Sequence, residues 1–340
     1  MNIRTSSSYV YVCASNDGLY RQLKSSLTDN WEYVGLRDSS LNTEGVFDVL
    51  VHNENEILAA IVNLKTNLPG IVRSTNLGRT WMKSDSGFGF SMPYVIPADS
   101  GKYSSCETLF GLSDQPETVF AAGTEDDGIY RSTNFGLVWQ VMSLPTLNDY
   151  AHMICYAQDP LDLNVIYAGG NSSASGASVI VPAMLLKSTD RGSPLWIPML
   201  DISHVYYDNA VYTIALTAQP ERIYLGMRGF VLSSNDAGTT WNKLAYSEDV
   251  DNLLTVVADP VHGTHLLYSS VNTFYESLDT GRTWTKLTHP GSGMVEIVTW
   301  DKQTDNLYVS VKNKGGVFVL PKASSVPLQK LEKEFQSKRK

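Results

Sequence analysis

The 340 residues predict an all-β ring of seven four-stranded units, and three observations carry that prediction. A tryptophan-terminated phrase recurs along the chain at intervals of 43 to 58 residues. A Gly-apolar-aromatic-basic run stands just upstream of several copies. Two further β-rich runs, joined by a polar turn, precede that run. A period of this size with short strands is the signature of radial repetition, in which each unit buries its faces against its neighbours.

The phrase reads Ser74-Thr-Asn-Leu-Gly-Arg-Thr-Trp81 and Ser132-Thr-Asn-Phe-Gly-Leu-Val-Trp139. Ser188-Thr-Asp-Arg-Gly-Ser-Pro-Leu-Trp196 carries one extra residue, and Ser234-Asn-Asp-Ala-Gly-Thr-Thr-Trp241 and Ser277-Leu-Asp-Thr-Gly-Arg-Thr-Trp284 complete the set. Trp31 ends a degenerate copy without the Ser, Asp and Gly, so six of the seven tryptophans mark one repeated position; Trp300 is the exception. The phrase is built for a hairpin turn. An Asp or Asn side chain accepts backbone N–H groups just downstream, Gly supplies a positive φ, and Trp opens the next strand and covers the turn. Upstream lie Gly18-Leu-Tyr-Arg21, Gly70-Ile-Val-Arg73 and Gly128-Ile-Tyr-Arg131, with Gly316-Val-Phe-Val319 at the far end. Each unit therefore reads as inner strand A, then B, C, the boxed turn and outer strand D.

This Ser-x-Asp-x-Gly-x-Thr-Trp phrase resembles the Asp-box, or BNR, repeat of β-propellers such as sialidases, sortilin-type receptors, xyloglucanases and photosystem II assembly factors. The resemblance spans residues 1 to about 290, and 291–321 match without a box. It implies a seven-bladed β-propeller of four-stranded antiparallel blades, with the boxes on C–D turns away from the ligand face. The overall layout is most similar to the single-propeller assembly-factor group, which implies a non-enzymatic docking platform. The first blade (Tyr9–Ala14, 19–21, 31–35) shows no clear inner strand, and the last (Val295–Trp300, Leu307–Val311, Gly316–Leu320) shows no outer one. Residues 2–7 are expected to complete one or the other. The propeller is assigned to 1–321, and 322–340 to a basic tail, a short helix or disordered. That tail holds six basic and two acidic side chains in a chain of net charge −9.

The acidic balance argues against nucleic acid, because phosphate recognition needs a concentrated basic surface. No run of 18 apolar residues is present, so no membrane-spanning helix is expected. The N-terminus carries no apolar signal-like stretch, which favours an intracellular or virion setting. Cys13, Cys106 and Cys155 cannot all pair and read as buried, inert thiols. No cofactor or metal motif is found. Enzyme classes also find little support. The sialidase Phe/Tyr-Arg-Ile/Leu-Pro motif is missing around Arg4, Arg21 and Arg37. The six histidines fall in turns and loops with no Ser or Cys elbow nearby. The xyloglucanase resemblance implies two propellers, about twice this length.

Candidate sites follow from loop length. The A–B and C–D turns are compact, so insertions gather on the opposite face, where binding usually resides. That face carries Tyr94 and Tyr103 in 83–105, Tyr150 and His152 in 143–152, and His204, Tyr206, Tyr207 and Asp208 in 201–211. Its aromatics suit sugar stacking or a protein interface, so a protein or glycan partner is expected. The acidic triplet Glu125, Asp126 and Asp127 offers oxygen ligands for a cation but lacks EF-hand spacing and reads as a solvated turn. Asp48, Glu107 and Glu296 on inner strands are candidate channel carboxylates, the residue type for acid–base work on a glycoside. Arg21, Arg73, Arg131 and Lys187 share one late C-strand position and form a candidate basic rim for an acidic partner, the alternative being a structural role in which they pack over the box Trp. The reading is a binding or scaffold propeller; a glycan-binding or glycoside-hydrolase-like protein is the alternative. Oligomeric state is not encoded in these features.

Overall fold

The computed structural model describes residues 2–14, 17–26, 30–36, 45–63, 68–87, 106–123, 128–142, 150–173, 183–193, 195–199, 210–246, 255–259, 262–269, 274–287, 295–311, 316–320 and 329–331. Within them lie 28 strands in seven antiparallel four-stranded sheets. Blade 1 is β1 (Asn2–Thr5), β2 (Tyr9–Ala14), β3 (Gly18–Leu23) and β4 (Glu32–Gly35). Blade 2 is β5 (Gly45–Val51), β6 (Ile57–Asn63), β7 (Leu68–Ser74) and β8 (Met82–Lys83). Blade 3 is β9 (Cys106–Gly111), β10 (Val119–Gly123), β11 (Ile129–Ser132) and β12 (Gln140–Val141). Blade 4 is β13 (Tyr150–Gln158), β14 (Ile166–Ser173), β15 (Ala183–Ser188) and β16 (Ile197–Pro198). Blade 5 is β17 (Thr213–Leu216), β18 (Ile223–Gly226), β19 (Phe230–Ser234) and β20 (Asn242–Tyr246). Blade 6 is β21 (Thr255–Ala258), β22 (Leu266–Ser269), β23 (Phe274–Ser277) and β24 (Thr285–Leu287). Blade 7 is β25 (Val295–Trp300), β26 (Leu307–Val311), β27 (Gly316–Leu320) and β28 (Gln329–Leu331). Each sheet runs in chain order, and the inner strands β1, β5, β9, β13, β17, β21 and β25 touch in sequence, with β25 returning to β1. The protein is a closed seven-bladed β-propeller.

Both terminal blades are complete, which resolves the ambiguity left by the sequence. Residues 2–5 are the inner strand of blade 1, with Asn2 opposite Cys13 and Thr5 opposite Val10. The outer strand of blade 7 comes from the C-terminal segment read as helix or disorder: Gln329–Leu331 pairs with β27, Val317 opposite Leu331. Blade 1 is thus wholly N-terminal and blade 7 wholly C-terminal. The ring closes by side-chain packing instead of by a shared sheet.

The core lies in the seams between blades, as the period-2 pattern of a two-sided strand requires. In β2, Tyr11 and Cys13 face blade 2 with Val46, Val49 and Ile57, while Val10 and Val12 face blade 7 with Tyr308, Val317 and Val319. A belt of bonds between inner strands reinforces these seams. Asn2 Nδ2 donates to Asp48 Oδ1 (2.8 Å), and Leu109 N–H donates to Asp48 Oδ2 (2.9 Å). Thr108 Oγ1 donates to the Ile154 carbonyl (2.7 Å), and Cys155 Sγ to that of Val211 (3.4 Å). Val256 N–H donates to Thr213 Oγ1 (3.1 Å), and Thr299 Oγ1 to the Ile3 carbonyl (3.0 Å). Asp48, Thr108 and Cys155 each follow a β-bulge in their strand, at Phe47, Glu107 and Ile154. The bulge re-aims the next side chain toward the neighbouring blade.

The five boxed turns share one geometry. The Ser hydroxyl accepts the N–H of the Gly four residues on, at 2.8–2.9 Å, in all five. The Asn or Asp side chain accepts from the far end of the turn, as in Thr80 N–H to Asn76 (2.9 Å) and Thr283 N–H to Asp279 (2.8 Å). The residue before Gly also adopts positive φ: Leu77, Phe135, Arg191, Ala237 and Thr280 lie between 49° and 63°. Its N–H donates to the A–B turn of the same blade, at Asn55, Glu117, Asn164, Glu221 and Thr264 respectively. Boxed turns and A–B turns therefore share one face. Gly is required twice over, since φ is +74° to +89° at the five positions and a Cβ would strike the preceding blade. At Gly192 it would stand 2.5 Å from Phe120 and 3.1 Å from the Trp196 ring. The box is a wedge between blades as well as a turn.

Candidate functional site

Most of the predicted binding face is not placed by the described residues. Tyr94, Tyr103, His204, Tyr206, Tyr207 and Asp208 lie outside the described residues, as do Glu125, Asp126 and Asp127. The backbones of Tyr150 and His152 belong to β13, opposite Ser173 and Asn171, at the end of the blade opposite its boxed turn. Their side chains are outside the described set.

The three inner-strand carboxylates do not form one group. Asp48 is fully buried and accepts five hydrogen bonds: Arg4 Nε (2.7 Å), Arg4 Nη2 (2.6 Å), Asn2 Nδ2 (2.8 Å), Val49 N–H (2.8 Å) and Leu109 N–H (2.9 Å). This corrects the channel-acid reading for Asp48: its lone pairs are committed to holding blades 1, 2 and 3 together. A bidentate Arg–carboxylate pair of this kind fixes orientation strongly. Glu107 and Glu296 are each the unpaired residue of an inner-strand bulge, between Cys106 and Thr108 and between Val295 and Ile297. Their side chains are outside the described set.

The four repeated cations occupy one structural position, but they do not form a free arc. Arg21 is 7% exposed; its Nε and Nη2 donate to Glu32 (2.8 and 2.7 Å), and its Nη1 donates to the Leu77 carbonyl (3.1 Å). Glu32 is held below the ordinary carboxylate range by the hydrogen bond from Arg21. Arg73 pairs with Glu56 and lies 5.9 Å over the Phe135 ring of the next box. Burial lowers the pKa of Arg131, against the opposing pull of Asp190 in the next box. Lys187 lies 5.6 Å over the Tyr167 ring. At Arg21, Arg73 and Arg131 the position therefore couples the blade to the box that follows, whereas Lys187 contacts its own blade; as an open rim for docking it is corrected at Arg21 and Arg73.

Several polar centres were not visible in the sequence. His52 stands between Glu56 (2.9 Å) and Glu117 (3.5 Å) against the Phe135 ring, joining blades 2 and 3. His265 stands between Asp259 (3.4 Å) and Glu276 (2.8 Å), edge-on to Trp300 of blade 7. Among the described residues, no group of three or more His, Cys, Asp or Glu is arranged to hold a metal ion. Cys13 and Cys155 are free, and burial raises both thiols above their ordinary pKa. Among the described residues no helix is long and apolar enough to cross a membrane.

No family model matches the chain, and no curated protein sequence does so. Solved structures do. The xyloglucanase of family GH74 from Xanthomonas campestris superposes with a TM-score of 0.65 at 16% identity over 95% of this chain. The chain spans only 52% of that enzyme's length. The YCF48 protein, solved with a bound D1 peptide, gives 0.59 at 14% identity, covering 89% of this chain and 85% of that one. The extracellular domain of a one-component system from B. thetaiotaomicron gives 0.62 at 12% identity, covering 94% and 37%. What these likenesses share is the propeller. At such identities they establish the fold alone, and sites must be argued from residues.

Proposed function

We propose that this chain is an Asp-box-type binding propeller that engages a protein partner through the face opposite its boxed turns. The observation that carries this reading is the asymmetry between the two faces. On the box side, short turns spend their polar groups on one another and on the next blade. The long connections, with Tyr94, Tyr103, His204, Tyr206, Tyr207 and Asp208, are the ones the blade order expects on the other side. Rigid scaffold with elaborated loops is the usual division in binding proteins, and aromatic residues are preferred anchors of interfaces. The YCF48 structure with its peptide supports a peptide-binding use of the fold. A role without catalysis fits a buried Asp48 whose acceptor capacity is already committed.

A glycan-directed function is the second reading, favoured by the likeness to a GH74 xyloglucanase. One experiment separates the two. The intact chain and a Tyr206→Ala/Tyr207→Ala/Asp208→Ala variant are compared in affinity capture, on a glycan array and against a fluorogenic glycoside panel. The proposal expects a captured protein that the variant loses at unchanged melting temperature. Turnover of any glycoside, or capture unaffected by the triple change, would sink it.

A further inference from the structure

The repeat exposes one seam that differs from its neighbours. In the seams between blades 2 and 3 and between blades 3 and 4, the side chain before the box Gly reaches the preceding blade and acts as a plug, and in the first seam the backbone of that residue does so. Leu77 takes the Arg21 guanidinium on its carbonyl (3.1 Å). Phe135 lies under Arg73 and against His52, with ring centroids 5.0 Å apart. Arg191 reaches across to Asp114 of blade 3 (2.6 Å). Between blades 4 and 5 the residue is Ala237, and it lines a small open groove.

The groove is polar and specifically furnished. Tyr167 of blade 4 is 2% exposed and lines the groove, and among the described residues its hydroxyl makes no hydrogen bond. Burial and the charge of Asp159 push its pKa up to about 12, so the hydroxyl stays a hydrogen-bond donor at neutral pH. Lys187 is held over the Tyr167 ring, and Arg222 enters from blade 5. Neither cation has an acid within ion-pairing distance among the described residues, whereas Arg21, Arg73 and Arg191 are each paired. The sheet register explains this. Arg21 faces Glu32 across its strand pair, but Lys187 faces Ile197. Two acids also line the groove: Asp159, whose Oδ1 already caps its own turn through Leu161 N–H (2.8 Å), and the exposed Glu221.

We propose that this inter-blade groove is a carboxylate-binding site, formed by Lys187, Arg222 and the Tyr167 hydroxyl and opened by Ala237. Two cations lining one groove with a tyrosine O–H donor can stabilise an oxyanion through charge-assisted bonds. The two acids nearby bring the lining to net zero, which favours a singly charged carboxylate over a doubly charged phosphate. The site lies on the boxed face, so it stands apart from the loop-face reading, and either can fail without the other.

The test titrates the full chain, labelled on its tyrosine rings, with N-acetyl-glutamate methylamide and separately with inorganic phosphate, followed by NMR. A saturable shift at Tyr167 with the carboxylate probe is expected. Lys187→Met and Arg222→Gln should each weaken it tenfold or more. Ala237→Phe should abolish it at unchanged melting temperature, because Phe135 fills the same position in blade 3. No saturable shift, tighter binding of phosphate, or binding that survives Ala237→Phe would overturn the proposal.

Discussion

Between blades 3 and 4 the join is made by glycine and aromatic rings, whereas between blades 7 and 1 an apolar seam carries a buried ion pair as well. At the first seam Gly192 lets the boxed turn press against Phe120 and Trp196, and Trp196 is fully buried. The closing seam has no intact box, since Trp31 ends a degenerate turn and blade 7 has none. There Lys24 Nζ lies 2.8 Å from Asp301 Oδ2, with both side chains almost fully buried at 5% and 3% exposure. Trp31 still packs into that seam beside Tyr308 and Val319. A repeat thus builds similar joints from one motif, but the joint that unites the two chain ends adds a specific pair to its apolar contacts.

The largest effect is therefore expected at the closing seam. Lys24→Met leaves the Asp301 carboxylate buried without its countercharge, a change that typically costs about 3–5 kcal/mol. Asp301→Asn added to it should recover part of the loss. Denaturant unfolding of the two variants measures this. A Lys24→Met cost below about 1 kcal/mol, the scale of a surface pair, would show that hydrophobic contacts close the ring unaided.

A smaller effect is expected where the wedge is glycine. A Cβ at Gly192 would meet Phe120 at 2.5 and 2.6 Å while φ stays at +74°. Overpacking and a left-handed backbone together cost roughly 2–4 kcal/mol. Gly70→Ala is the internal control. Its Cβ would meet Ile61 at 3.4 Å, ordinary contact, with no positive φ. Stability there should move by less than about 1 kcal/mol, with Ala favoured by lower chain entropy. Similar losses at the two glycines would refute the wedge.

The same contrast explains what could be read from the sequence. The boxes, the blade count and the two-sided strands were legible because spacing and alternation repeat, and each copy corroborates the others. Blade 7's outer strand was not, because Gln329–Leu331 is three residues of weak pattern whose pairing exists only once β27 offers an edge. Arg21 looked like a free cation because its partner Glu32 sits in the decayed copy, although antiparallel pairing of β3 and β4 places the two opposite. The role of Asp48 depended on Asn2 and Arg4, on a strand left unassigned at the sequence level. Contacts that are unique in the ring have no second copy to reveal them.

The smallest effect distinguishes boxes that differ only in charge. Asp236 and Asp279 are each pushed down to about 2, first by the hydroxyl hydrogen bonds from Thr240 and Thr283 and then by N–H groups of the turn. A carboxylate whose folded pKa lies below its ordinary 3.8 adds stability that is present above that value and is lost as pH falls toward about 2. In the second and third blades the same position is Asn76 or Asn134, which cannot titrate. Asn76 keeps the bond by reversing it, donating Nδ2–H to Thr80 Oγ1 (2.8 Å), where Asp236 accepts from the Thr240 hydroxyl (2.6 Å). Asp236→Asn with Asp279→Asn should therefore leave neutral stability nearly unchanged and flatten the decline between about pH 4 and 2. Thermal melts of both proteins across that range decide it. An unaltered acid profile would mean that these exposed turns are already screened from the fold, and that the charge at the box position does nothing the amide does not.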